Sequence, residues 1–318
     1  VLSEVLDMCA SERALLITGP SRRFSDRFRS SFGSRDVEVF DEAEVHVPSA
    51  VVARARAVMR GLGADTIVTL GGGATTGLGK ALLLEDGASF VAIPTTYSGS
   101  ERTSVYGVTT GAEKRTGRDA RVRPTVVIYD HTLTLDIPPK LTAQSLLNAL
   151  AHPISALGAG QLDASLKRRA LEAVALISDC APRLVADPRS ADARRSALEA
   201  ASLAAEVIEG GALGVHHQLA HFLGGRFALP HAALHSMLLP QTTHDLGRSE
   251  SSIYAAIADA AGDPELPTSL FDLLERAGAE TSLRALGVER DALEEALAGR
   301  PELPAETVWR VFEGVRPG

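Results

Sequence analysis

Cysteine is nearly absent. Two occur in 318 residues, Cys9 and Cys180, far apart and at no metal or redox spacing. That excludes a disulfide-stapled scaffold and suits a reducing compartment, so a cytoplasmic location is expected. Long apolar runs are missing too: no stretch approaches the roughly twenty residues that a membrane-spanning helix needs, so no membrane partner is expected. The chain opens Val1-Leu2-Ser3 without a charged-then-apolar leader, and no secretion signal is expected. Positive charge is in deficit, with 32 Lys and Arg against 40 Asp and Glu, a net charge of −8. Phosphate contacts need a basic surface, so nucleic acid is not expected as a partner. A small anionic substrate is compatible with this balance where cations gather locally. Lys114, Arg115, Arg118, Arg121 and Arg123 are such a gathering, or else a solvated basic hairpin.

What is present first is alternation. ALLITG (14–19), VEVFD (37–41), TIVTLGG (66–72), SFVAIPT (89–95) and TVVIYD (125–130) are short β-rich runs, and VPSAVVARARAVMRGLGA between the second and third has the periodicity of an amphipathic helix. This pattern predicts an α/β domain built on a mostly parallel sheet. After LDIPPK (135–140) the β-rich runs vanish. Ala/Leu/Glu/Arg segments at 141–160, 166–185, 191–209, 212–223, 231–240, 251–261 and 267–277 predict an all-α second domain, with domains at 1–138 and 139–318.

TIVTLGGGATTGLGK (66–80) reads as strand, glycine turn and helix start. Gly71, Gly72 and Gly73 let backbone amides approach a phosphate, and Thr75 and Thr76 add hydroxyls at the positive end of the helix. The spacing is neither GxGxxG after a first strand nor a P-loop, since Lys80 is not followed by Ser or Thr. Taken alone, a tight turn without ligand explains the glycines equally well. IPTTYSGSERTS (93–104) is a second hydroxyl-rich strand end, and two such loops at the carboxyl edge of one sheet point to a nucleotide.

Histidines crowd one stretch. HHQLAHFLGGRFALPH (216–231) holds four of the nine. On a helix His217 and His221 share a face while His216 points elsewhere. Gly224-Gly225 is expected to end that helix and Pro230 to begin another that returns His231 toward the pair. NALAH (148–152) places Asn148 and His152 on one face of a further helix. Neutral imidazoles suit zinc or iron, but a firm site usually adds a carboxylate. Buried side chains that merely satisfy their neighbours' hydrogen bonds are the other reading of the same four positions.

GGGATTGLGK, IPTTYSGSE, GRDARVRPTVVIYDHTLTLDIP, NALAH and HHQLAHFLGGRFALPHAALH, in that order, resemble the iron-containing alcohol dehydrogenase superfamily and, within it, the maleylacetate reductases. The resemblance runs from about residue 35 to 245, with a weaker echo in AETSLRALGV (279–288). It implies a Rossmann-like nucleotide-binding domain, an all-α domain and a cleft between them. It also implies NADH- or NADPH-dependent reduction of maleylacetate to 3-oxoadipate, a late step of aromatic-ring catabolism, with the cofactor held by Gly71, Gly72, Gly73, Thr95 and Thr96. Asp41, ending the second strand, leans toward NADH through the adenosine ribose.

Metal-dependent members carry Asp where Asn148 stands. An amide oxygen is a neutral, weaker ligand, so no metal is expected; an ion, if bound, would be held by Asn148, His152, His217 and His231. His221 is then the expected proton donor, with Asn148, His152 and His217 orienting the substrate and His231, Arg102 and Lys114 meeting its negative charge. Relatives form dimers, often through N-terminal β elements, and a homodimer is expected. In the family a strand ordinarily precedes the first helix, whereas the sequence given opens at LSEVLDMCA, and GRPELPAETVWRVFEG stands where a longer C-terminal segment is expected. Dehydroquinate synthase shares this architecture, so the alternative is a member repurposed for another anionic carbonyl compound or for a non-redox or binding role in a biosynthetic pathway.

Overall fold

Residues 1–111, 113–211 and 214–318 are described by the computed structural model, together with the backbone but not the side chain of Lys114. The chain divides into two compact units, Val1–Thr134 and Leu135–Gly318.

The first unit contains α1 (Leu2–Met8), β1 (Arg13–Thr18), α2 (Ser25–Arg29), β2 (Asp36–Phe40), α3 (Ser49–Leu62), β3 (Thr66–Gly71), α4 (Gly73–Leu83), β4 (Ser89–Pro94), β5 (Val105–Thr110), β6 (Glu113–Arg118) and β7 (Val126–Val127). Five strands form one parallel sheet in the order β2-β1-β3-β4-β7, and β5 pairs with β6 as an antiparallel hairpin. Strands buried on both faces read as continuous apolar runs, and the pleat sorts them. Leu15, Ile17, Ile67 and Phe90 pack with α3 and α4 on one face, through Val51, Ala55, Leu78 and Leu82. Ala14, Leu16, Val68 and Val91 pack with Leu2, Leu6 and Phe32 on the other. TVVIYD is shorter as a strand than its composition predicts. Only Val126–Val127 pair with β4; Thr125 and Ile128 still donate to Phe90 and Ala92 carbonyls, and a 3-10 turn begins at His131.

The second unit is helical: α5 (Pro139–Gly158), α6 (Ala164–Ala186), α7 (Ala191–Gly210), α8 (Val215–Phe227), α9 (His231–Ser249), α10 (Ser251–Ala261), α11 (Leu266–Arg276), α12 (Arg290–Ala298) and α13 (Ala305–Glu313). Helix α5 is buried from Thr142 to Leu157, as a helix that is apolar all round must be. Leu219 and Leu223 of α8 pack with Leu234 and Leu238 of α9 and with α12 and α13.

Two expected boundaries are corrected. Helix α8 does not stop at Gly224-Gly225 but continues to Phe227 and ends with Ala228 in the left-handed region. A Cβ on Gly224 would lie 3.3 Å from Leu234, so this glycine serves the approach of α9 rather than a helix end. Helix α9 likewise runs beyond Pro240 to Ser249, carried by burial of Ala233 through Gln241. The start of the segment expected at 212 lies outside the described residues. No helix among the described residues is long and apolar enough to cross a membrane.

Candidate active site

The carboxyl ends of β3 and β4 lie side by side, with Gly71 in register with Pro94 and the Thr95 amide donating to the Gly71 carbonyl at 2.9 Å. Helix α4 starts directly after this turn, without a side-chain cap. Its first amides therefore point outward at a helix N-terminus, where an anion is stabilised. The glycines are needed for close approach. A Cβ on Gly71 would come within 2.7 Å of the Thr75 side chain, and one on Gly72 within 2.9 Å of Thr96 Oγ1. Gly73 is exposed at the helix start. Gly71, Gly72, Gly73, Thr95 and Thr96 thus share one edge, and the cradle suits a nicotinamide cofactor's pyrophosphate.

Asp41 follows β2 at the same edge of the sheet. Its carboxylate accepts from Arg22 Nε at 2.6 Å, and this hydrogen bond holds its pKa below the usual range. The sequence marks the acid alone; the structure adds a cation. Arg102 ends a 3-10 turn, Ser100–Arg102, beyond β4. Beside it Glu101 is buried, and burial pushes its pKa up while Tyr129 donates to Oε1 at 3.0 Å. Lys80, fully buried, donates to Thr103 Oγ1 at 3.0 Å and the Val105 carbonyl at 2.8 Å, tying α4 to this loop. Lys80, which the sequence already excludes as a P-loop lysine, is an anchor, a role no local pattern marks. Arg121 pairs with Asp119 at 2.6 Å next to the hairpin. The Lys114 side chain lies outside the described residues.

In the helical unit, five imidazoles form a continuous group on α5, α8 and α9. His152 stacks on His217 with ring centroids 5.4 Å apart; His217 lies 5.2 Å from His216 and 5.0 Å from His235, and His231 lies 4.2 Å from His235. Ser155, one turn beyond His152, orders the entry to α8 by accepting from the Gly214 amide at 2.9 Å, and its hydroxyl is 3.1 Å from His217 Nδ1. His221 and His231 are exposed, whereas Asn148, His152, His216, His217 and His235 are buried. Burial is the main force on their charge: it lowers His152 and His216 to about 3, with charge on His231 adding to it. His217 and His235 move in the same direction for the same reason. These buried rings are neutral near pH 7.

Asn148 Oδ1, His152 Nδ1, His217 Nε2 and His235 Nε2 are buried without a hydrogen-bond partner among the described residues. Unpartnered polar atoms are costly, and three on the rings of one cluster, with Asn148 one turn before His152, mark a candidate polar ligand site. Asn148 offers only a neutral oxygen, and among the described residues no three His, Cys, Asp or Glu side chains are arranged to hold a metal ion. Of the expected residues, the structure brings His152, His217 and His231 into one group through His235, and leaves His221 exposed one turn along α8. His235, Ser155 and Thr242 were not anticipated. The signal for His235 was available, because it follows His231 by four residues, the spacing that singled out His217 and His221.

A parallel sheet with a glycine turn at its carboxyl edge, followed by a helical unit carrying imidazoles, defines the class as a nicotinamide-dependent dehydrogenase fold. The chain belongs to the iron-containing alcohol dehydrogenase family: the family model "Iron-containing alcohol dehydrogenase" matches residues 1–131, and "Fe-containing alcohol dehydrogenase family, C-terminal" matches residues 142–299. It is an oxidoreductase. A maleylacetate reductase of Burkholderia cepacia is 44% identical over 290 residues, covering 91% of this chain and 82% of that protein. The crystal structure of maleylacetate reductase from Agrobacterium tumefaciens superposes with a TM-score of 0.91 at 36% identity, covering 99% of this chain and 94% of the other. That from Rhizobium sp. strain MTP-10005 gives 0.90 at 35% identity, covering 99% and 93%.

Proposed function

We propose that this protein reduces the carbon–carbon double bond of maleylacetate to give 3-oxoadipate, with NADH ahead of NADPH as donor and without a metal ion. The observation that carries this reading is the buried imidazole cluster: neutral, free of carboxylate, and holding four unpartnered polar atoms. Such a cluster tolerates a dianion that a carboxylate would repel, and the named relatives support maleylacetate as that dianion.

A bound nicotinamide supplies hydride. The amides of the Gly71–Gly73 turn and the hydroxyls of Thr95 and Thr96 would hold its pyrophosphate, and Asp41, beside its partner Arg22, would meet the adenosine ribose, which supports NADH first. As the conjugated double bond is reduced, negative charge grows on the ketone oxygen. Asn148, His152 and His217 orient the substrate and stabilise that charge by hydrogen bonds. His221 donates the proton, while exposed His231 meets a carboxylate of the substrate. A cytoplasmic homodimer belongs to the same proposal.

The test titrates purified protein with NADH and NADPH by nicotinamide fluorescence, with and without chelator, then adds maleylacetate. Saturable binding, tighter for NADH, and maleylacetate-dependent oxidation that chelator leaves unchanged are expected. Cofactor binding without any oxidation overturns the substrate assignment. Activity that tracks a stoichiometric iron or zinc overturns the metal-free assignment.

A further inference from the structure

Asp41 does not stand alone at the carboxyl edge of the sheet. Its partner Arg22 lies in the loop that follows β1, and the two side chains are 31% and 56% exposed, open to a ligand from solvent. Ile17 of β1 is in register with Phe40, the last residue of β2, and Thr18 with Leu70 of β3, so β1 runs between the other two. Two strand spacings, about 10 Å, therefore separate the Asp41 end from the Gly71–Gly73 turn. That separation suits a dinucleotide with its pyrophosphate at the turn and its adenosine ribose at Asp41.

Arg22 has a φ of 46°, in the left-handed region that glycine enters freely and a residue with a side chain does not. It is held there from both sides. Its amide donates to the Gly19 carbonyl at 3.0 Å, and its carbonyl accepts from the Ser25 amide at 3.0 Å and from the Ser25 hydroxyl at 2.8 Å. Ser25 is itself buried, which anchors the turn. Backbone strain at a ligand edge leads from an observed outlier to a function, and here it aims a guanidinium at the acid of the ribose site. Charge agrees with geometry: residues 19–29 carry Arg22, Arg23, Arg27 and Arg29 against Asp26 alone, in a chain whose net charge is −8.

We propose that Arg22 is the residue that admits NADPH, its guanidinium binding the 2′-phosphate that distinguishes NADPH from NADH. This rests on the nicotinamide reading of the first unit. A phosphate monoester carries about two negative charges at pH 7. A lone Asp41 carboxylate would repel it, while bonding the ribose hydroxyls of NADH. Arg22 cancels the repulsion. The bond to Asp41 runs through Nε, and the guanidinium carries two further nitrogens at the end of its fork, spaced to meet phosphate oxygens in pairs. With NADPH the guanidinium bridges carboxylate and phosphate; with NADH the ribose diol meets Asp41 directly. One acid and one base thus serve both cofactors, and NADH stays first because its diol needs no bridge.

The test measures the Kd of NADPH and of NADH by nicotinamide fluorescence, at low and at high salt, for wild type, Arg22→Gln and Arg22→Gly. Both variants should weaken NADPH about tenfold or more and leave NADH within about twofold. Arg22→Gly also relieves the backbone, so it decides alone if Arg22→Gln does not fold. Salt should weaken NADPH binding to wild type more than NADH binding, and the excess should vanish in the variants. A disturbed turn would weaken both cofactors alike, so the ratio of the two constants carries the result. An unchanged ratio, or a wild type that binds NADH and not NADPH, overturns the role of Arg22 and leaves the nucleotide site standing. A wild type that binds neither overturns the nucleotide reading and the proposal with it.

Discussion

His217 is surrounded by the rings of His152, His216 and His235, and burial strips it of charge, while His231 and His221 are exposed. This separates two kinds of imidazole. Buried rings serve as neutral hydrogen-bonding groups, and only the exposed ones exchange protons with solvent directly. We predict that His221→Ala lowers turnover about 100-fold or more with cofactor affinity nearly unchanged, as measured by steady-state kinetics and fluorescence titration; normal turnover removes it from the mechanism. The buried rings give a pH signature. His152 and His216 fall to about 3 in the folded protein from an ordinary value of 6.5. Below that ordinary value the unfolded chain binds protons that the folded chain refuses, so stability is full above about 6.5 and declines as pH falls toward 3. Denaturant midpoints at neutral pH and near pH 5 should show the decline, and equal midpoints contradict it. Asn148 and His152, both buried on α5, were legible as a pair because helical spacing fixes which neighbours share a face. Thr242 was not, since its partner His216 lies on another helix and a hydroxyl in an apolar run carries no distinguishing pattern.

At the scale of elements, glycine position separates packing from punctuation. Gly225 lies in the exposed interior of α8, and a Cβ there meets nothing within 4 Å. Gly225→Ala should therefore stabilise the protein by about 1 kcal/mol through helix propensity, measured by chemical denaturation; a loss shows that the helix yields at this point. Gly72→Ala should act in the opposite sense on function, because its Cβ would press against Thr96 and shift the turn, weakening cofactor binding about tenfold. Unaltered cofactor affinity in that variant argues against the turn as the phosphate cradle. The strands of the sheet were legible within a residue or so because both of their faces are buried. The ends of α8 and α9 were not, since glycine and proline signal a stop only where tertiary packing does not override them, as it does at Gly224 and Pro240.

For the whole molecule, a ligand that binds only the folded chain stabilises it by mass action. NADH at about a hundred times its Kd should add about 2.7 kcal/mol and raise the midpoint of thermal unfolding. An unmoved midpoint at saturating NADH contradicts a nucleotide site in the first unit. The switch from β-rich runs to helical segments was legible because strand and helix periodicities differ. Burial of Arg194, whose guanidinium donates to the Ile137 and Pro188 carbonyls and to Thr142, was not, because no local pattern marks a cation for the interior. Each unit is a single uninterrupted stretch of chain, Val1–Thr134 and Leu135–Gly318. Translation therefore finishes every strand and turn of the nucleotide edge before it begins the helices that carry the histidines. At about 5–20 residues per second, the first unit has on the order of ten seconds to fold while the histidine-bearing helices are still being synthesised.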